Sequence, residues 1–284
     1  MTPLTTILIL LVTAAVSIVA FQRRDLWERL MFKPTEILRD KQFERMVTSG
    51  LVHLDWAHLG WNSLSFYLFG RNIEAVYGSV TLLTVYLASI IGGSILSLIV
   101  HRHDVDYRAL GASGGVCGVI FASVFLLPNY SISFLLFPVG IPPYLYALIF
   151  LVTSFIAHRR RSDNIGHDAH LGGAIVGLLV ATAIYPHLIF AEPWMFAIVL
   201  LLSLGILVVL IRDPAHLLEF RLREGRRPQS SQRYQRYDEA QDCREKMEEI
   251  DRLLDKVAAQ GIHSLSRRER KKLDQLSKEI GRRR

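Results

Sequence analysis

The chain has 284 residues, 51% of them hydrophobic, with a mean hydropathy of +0.28 and a formal net charge of +7. The apolar excess is larger than a soluble domain carries and is unevenly spread. Thirteen Lys and Arg fall in residues 1–211 and 20 from Arg212 onward, so the charge belongs to the tail and is no sign of nucleic-acid binding.

A bilayer core of roughly 30 Å takes about 20 apolar residues per helix. Seven segments meet or approach that length: 4–21, 50–69, 79–100, 112–128, 142–158, 168–188 and 193–211. The first lacks a basic leader, so it reads as a membrane helix and not as a cleaved signal. Between Gln22 and Gly50 lies a charged loop broken by Pro34 that also carries Leu26, Trp27, Leu30, Met31 and Phe32. That mixture predicts an interfacial loop that partly enters the bilayer. Two cysteines, Cys117 in an apolar segment and Cys243 in the tail, support neither a disulfide framework nor a Cys-based zinc site.

From about Arg212 the composition turns polar. A basic linker, 213–237, leads to a region, 238–284, in which Met247, Ile250, Leu254 and Val257 recur at helical spacing. Gly261 ends that helix, and Ser266 with Glu269 forms a capping-box pattern that opens another, striped by Leu273, Leu276 and Ile280. The expected fold class is therefore all-α. It is a polytopic membrane helix bundle over 1–190, an additional transmembrane helix over 191–212, and a tail that reads as a charged helical hairpin, with a solvated charged extension as the competing reading.

Polar side chains in membrane helices are costly and mark function. Three clusters stand out. "HLDWAHLGWN" holds His53, His58 and Asn62, and the last two, four apart, share a helical face. "GASGGVCG", residues 111–118, sets Ser113 among glycines at the mouth of an apolar run. "GHDAHLGGAIVG" holds His167 and His170 beside Gly173 and Gly177, a small-xxx-small face that lets another backbone approach. Together they contain a nucleophile, a base and hydrogen-bond donors, the parts that acyl transfer needs. His167 and His170 also share a face, but no third ligand stands beside them, so no metal is expected.

These motifs resemble those of the rhomboid family of intramembrane serine proteases. The carrying residues are G-A-S-G at 111–114, A-H-L-G-G-A-I-V-G at 169–177, and His53, His58 and Asn62, with "ERMVTSGLVH" at 44–53 leading in. The resemblance covers about residues 1–188 and implies a six-helix core, to which this chain adds a seventh helix. It implies Ser113 as nucleophile and His170 as base in a dyad without Asp. His58 and Asn62, with the Ser113 backbone N–H, would hold the oxyanion, and Gly111 would shape that loop. His53 and Arg45 would be structural, and His167 would line the cavity. The implied substrates are single-pass or polytopic membrane proteins, cleaved within the bilayer, with no cofactor and no nucleic acid. The implied location is a bacterial inner membrane. Two departures stand out: Cys117 takes the place of a frequent aromatic, and Glu44-Arg45 that of a frequent Trp-Arg.

A catalytically inactive relative that binds membrane clients, and a transporter with glycine-broken helices, are the competing readings. The presence of both Ser113 and His170 favours the enzyme. Orientation stays open. The loops after helices one to six carry seven, one, two, zero, three and zero Lys and Arg. The positive-inside rule then puts the first, third and fifth loops in the cytosol, whereas the family norm puts them outside.

Overall fold

The structure, a computed structural model, describes residues 2–130, 132–134, 137–142, 144–149, 152, 166–190, 193–212, 246–247 and 249–281. It divides into two compact units, Met1–Arg226 and Arg227–Arg284.

In the first unit, α1 spans Leu4–Gln22. Its N-terminus points at a carboxylate of another helix. The Thr5 and Thr6 backbone N–H groups donate to Glu74 at 2.8 Å each, and the Thr6 hydroxyl donates at 2.7 Å. A negative charge there satisfies orphan donors and opposes the helix dipole.

The predicted interfacial loop is three short helices, α2 (Arg24–Leu30), α3 (Pro34–Arg39) and α4 (Arg45–Thr48), followed by a 3-10 turn over Ser49–Leu51. Trp27, Met31, Phe32 and Ile37 are buried. Arg45 ties the loop together: it donates to the carbonyls of Glu28 and Met31 at 2.8 and 2.7 Å and to Gln42 at 2.6 Å, and pairs with Glu36 at 2.6 Å. The guanidinium is buried, but its donors are spread over four partners, the condition under which a buried charge is tolerated.

The second and third predicted segments form one run of helix, α5 (Trp56–His101), with a single non-helical residue, Gly78, at φ 84°. At 1.5 Å per residue, 46 residues reach about 69 Å, two bilayer crossings joined at that glycine. The expected start near residue 50 is corrected to Trp56, where the Asp55 carboxylate accepts the His58 N–H at 2.8 Å as an N-cap. The expected loop over 70–78 is corrected too. Helix continues through Arg71, Asn72 and Glu74 because Glu74 caps α1 and accepts the Ser79 hydroxyl at 2.9 Å, while Arg71 lies over the Tyr67 ring.

Helix α6 (Ser113–Leu126) has 14 residues, and every one after Ser113 is buried. It packs between α5 and α7 (His167–Ile184), which also pack on each other. A two-stranded antiparallel hairpin, β1 (Ile132–Phe134) and β2 (Phe137–Ile141), follows α6, pairing Ile132 with Ile141 and Phe134 with Phe137. The all-helical expectation missed it, because strands this short do not register against a 20-residue apolar window. The predicted segment 142–158 lies mostly outside the described residues; 144–149 are helical. After a 3-10 turn over Pro186–Phe190, α8 spans Pro193–Arg212. The linker 213–237 lies outside the described residues.

In the second unit, residues 249–260 form one helical arm and α9 (Arg267–Gly281) the other. Gly261, at φ +80°, ends the first arm. The capping box forms in both directions: the Ser266 N–H donates to Glu269 at 2.8 Å, and the Glu269 N–H donates to Ser266 Oγ at 3.2 Å. Among the described residues the buried side chains are Leu253, Leu265 and Leu276, while the predicted stripe members Met247 and Leu254 are exposed at 45% and 49%. Ile250, Leu253 and Val257, at i, i+3 and i+7, define the inward face, and Leu254 lies about 100° away from Leu253.

The Lys256 ammonium, 2.8 Å away, and the Ser266 N–H hold the Glu269 carboxyl down at about 2. A carboxyl depressed in the folded hairpin contributes stability above its ordinary value near 4.5, and that contribution is lost as pH falls toward 2. Hydrogen exchange in residues 262–281 is therefore expected to quicken, relative to intrinsic rates, as pH drops from 5 to 3. Glu269→Gln should flatten that dependence.

Candidate active site

Ser113 opens α6, with Ala112 as its N-cap residue. Gly111, just before, has φ +121°, a conformation that side chains rarely tolerate. A Cβ there would also fall 2.6 Å from Cε1 of His58. The glycine thus admits both the turn and the imidazole lying on it. Fourteen helical residues rise about 21 Å, less than a bilayer core, so α6 need not begin at the membrane surface.

Two buried hydrogen bonds fix the turn. The Gly111 N–H donates to the Ser49 carbonyl at 2.9 Å, and the Ala112 N–H donates to His53 Nε2 at 3.3 Å. Because Nε2 accepts, the His53 proton sits on Nδ1, facing Ser17 Oγ at 2.9 Å. Ser17 in turn donates to the Leu51 carbonyl at 2.9 Å, and Trp27 Nε1–H donates to the His53 carbonyl at 3.2 Å. His53 is completely buried. It links α1, the first loop and the serine turn; Ser17 was not singled out in the sequence, and Trp27 only as an apolar member of the interfacial loop.

His170 lies in the first turn of α7, and its Nε2 is 2.6 Å from Ser113 Oγ. That is the reach a general base needs to take a hydroxyl proton. The two helices come this close because they meet at glycines. A Cβ on Gly173 would strike the carbonyl of Gly114, and one on Gly177 would strike the backbone of Gly118. His58 and Asn62 share one face of α5. The His58 ring lies edge-on to His53, centroids 5.0 Å apart. Asn62 is 8% exposed and, among the described residues, its buried Nδ2 has no hydrogen-bond partner. An unpartnered buried donor costs about 1–3 kcal/mol unless an acceptor arrives. Cys117 is buried one turn after Ser113. The His167 side chain lies outside the described residues.

A cavity of about 40 Å³ touches Ser113 and Gly111 and is lined by Ser49, Ser94 and Ser97. It has room for water and polar groups to hold it. Beside it is a carboxylate that the sequence reading passed over. Asp168, 4% exposed, lies 3.5 Å from His101 Nε2, and the His101 ring stacks on Tyr107 at 3.5 Å. The available signal was a carboxylate inside an apolar segment, two residues before His170.

A family model for the Rhomboid domain matches residues 40–187, more than half of the chain. The chain belongs to the rhomboid family. A rhomboid domain makes it an integral membrane protein built as a helical bundle. A second model, for a family of unknown function (DUF6576), matches residues 235–279, over the tail hairpin. The rhomboid chain is 30% identical over 149 residues to RHOMBOID-like protein 12, mitochondrial, of Arabidopsis thaliana, covering 47% of this chain and 44% of that one. It is 29% identical over 187 residues to the rhomboid protease GluP of Bacillus subtilis, covering 65% and 35%. With the rhomboid protease GlpG of Haemophilus influenzae it shares 30% identity over 151 residues, covering 53% and 74%. The rhomboid chain thus spans less than half the length of the first two of these relatives.

Proposed function

We propose that this rhomboid chain is an intramembrane serine protease in which Ser113 is the nucleophile and His170 the general base. The observation that carries the reading is the 2.6 Å approach of His170 Nε2 to Ser113 Oγ. Ser113 Oγ attacks the scissile carbonyl while His170 takes its proton. The resulting oxyanion is held by the Ser113 backbone N–H at the start of α6, by Asn62 Nδ2–H and by the His58 ring. His170 then gives its proton to the leaving amine, and the C–N bond breaks. Water, deprotonated by His170, releases the acyl group and restores Ser113. Asn62 fits its role because its donor is buried and unpartnered.

Gly173 and Gly177 hold α7 against α6, so that His170 keeps its distance. In this reading α8 is an additional crossing beyond the rhomboid core. Cys117, smaller than an aromatic, packs less surface beside the dyad, which favours slow turnover. The proposed location is a bacterial cell membrane, in keeping with relatives named from bacteria; the relatives named as mitochondrial mark the alternative, which localisation of a tagged chain decides.

The substrates are membrane helices. A regular helix keeps its carbonyls in i→i−4 bonds, so Ser113 can attack only after local unwinding. Gly in a helix lowers that cost by about 0.8–1 kcal/mol relative to Ala. Replacing two such glycines near the cut by Leu should slow cleavage about tenfold, with membrane insertion unchanged. The check is the cleavage rate of a single-pass reporter reconstituted with the protein. Equal rates for both reporters, or faster cleavage of an unfolded soluble chain, would contradict the reading.

A further inference from the structure

The tail hairpin carries its two charge signs on separate arms. From Asp238 to Gln260 there are eight Asp and Glu against four Lys and Arg; from Arg267 to Arg284 there are nine Lys and Arg against three Asp and Glu. The second arm alone therefore holds a net +6 of the chain's +7.

The fold of the hairpin sorts these cations. On the inward side of α9, Leu276 is buried, Glu269 meets Lys256 at 2.8 Å and Lys272 meets Glu249 at 3.0 Å. Arg267, Arg268 and Lys271 are exposed and, among the described residues, make no ion pair. At about 100° per residue, Arg267 and Lys271 lie within about 40° of each other and opposite Leu276, with Arg268 at their flank. The exposed part of the other arm presents Asp251 and Asp255. One side of the unit is thus cationic on balance, with Asp274 among its cations, and the other acidic on balance, with Arg252 among its acids.

This face sets Arg267, Arg268, Arg270 and Lys271 against one exposed acid, Asp274; a net-positive face suits an anionic surface, and chain connectivity says which surface is at hand. The hairpin is tethered through 213–245 to α8, an apolar helix ending at Arg212. That tether keeps α9 at high effective concentration next to lipid headgroups. An anionic leaflet attracts each nearby Lys or Arg within a Debye length and repels the acidic arm, so it also orients the hairpin. Nucleic acid fits less well, because residues 267–284 contain no aromatic side chain on which a base could stack. We propose that α9 is a docking face for anionic lipid headgroups and lays the hairpin on the membrane with its acidic arm outward. This rests on the tail and its tether to α8, and stands whether or not the bundle is a protease.

The test uses the full chain in lipid nanodiscs. A fluorophore is placed at Gln275→Cys, with Cys243→Ser to leave buried Cys117 as the other thiol, and lipids with quencher headgroups report contact. Quenching should be strong in phosphatidylcholine–phosphatidylglycerol discs and weak in phosphatidylcholine alone. The docked-to-free ratio should fall on the order of tenfold in about 1 M salt. A label at Asp251→Cys should be quenched less. Neutralising the face (Arg267→Gln, Arg268→Gln, Lys271→Gln) should abolish the lipid dependence. The charge-keeping set (Arg267→Lys, Arg268→Lys, Lys271→Arg) should retain it, which separates charge from misfolding. Equal quenching in neutral and anionic discs, quenching unchanged by neutralisation, or release of the label from anionic discs by single-stranded RNA would overturn the proposal.

Discussion

Ser113→Ala should reduce cleavage of a reconstituted membrane-helix reporter by at least about a thousandfold, while leaving the bundle folded. Ala keeps the Cβ at the first position of α6, where Ser113 stands, and removes only Oγ and its bond to His170. One hydrogen bond is worth about 0.5–1.5 kcal/mol, so the unfolding midpoint should move little. His170→Ala should cost activity to a similar extent, and the double variant little more than either single one, because the two groups act as one unit. A loss that summed over the two variants would mean that they do not share a step.

Gly173→Ala should be more damaging to the fold than any change of the dyad. The added methyl would meet the carbonyl of Gly114, which belongs to the backbone of the central helix and cannot rotate away. Overpacking a tight interior typically costs 1–3 kcal/mol, and a backbone obstacle should put this variant at about 3 kcal/mol or more. The thermal midpoint in detergent should drop, and activity should go with it, since α7 also carries His170. Gly60→Ala is the control: nothing lies within 4 Å of a Cβ there, and alanine suits the helix interior better. Its midpoint should hold or rise.

Length and apolar content made α1, α6, α7 and α8 legible, because a bilayer fixes how long an apolar helix must be. The same criterion misjudged 70–78. Arg71, Asn72 and Glu74 look like loop residues when each is judged against lipid, yet Glu74 is matched by Thr5, Thr6 and Ser79. That match joins residues nearly 70 positions apart, which no local pattern contains. Similarly, Ser113 and His170 were visible as motif residues because of their glycine settings. The support beneath them was not: the Ser17–His53–Ala112 chain needs three segments to meet. Asp168 stood next to two histidines that drew the attention, and its relation to His101 appears only once α5 and α7 are packed. In the tail, the capping box was readable because it is local, but the inward face was misjudged by one residue, Leu254 for Leu253. A one-residue shift turns a helix by about 100°, and only the partner arm decides between the two.

The central claim is that Ser113 is a nucleophile activated by His170. The most direct test is to react the reconstituted protein with a fluorophosphonate and map the adduct by peptide mass spectrometry, on wild type, His170→Ala and Ser113→Ala. The account predicts a single adduct on Ser113, strongly slowed without His170 and absent in Ser113→Ala. An adduct at another residue, or undiminished labelling of Ser113 without His170, would contradict it.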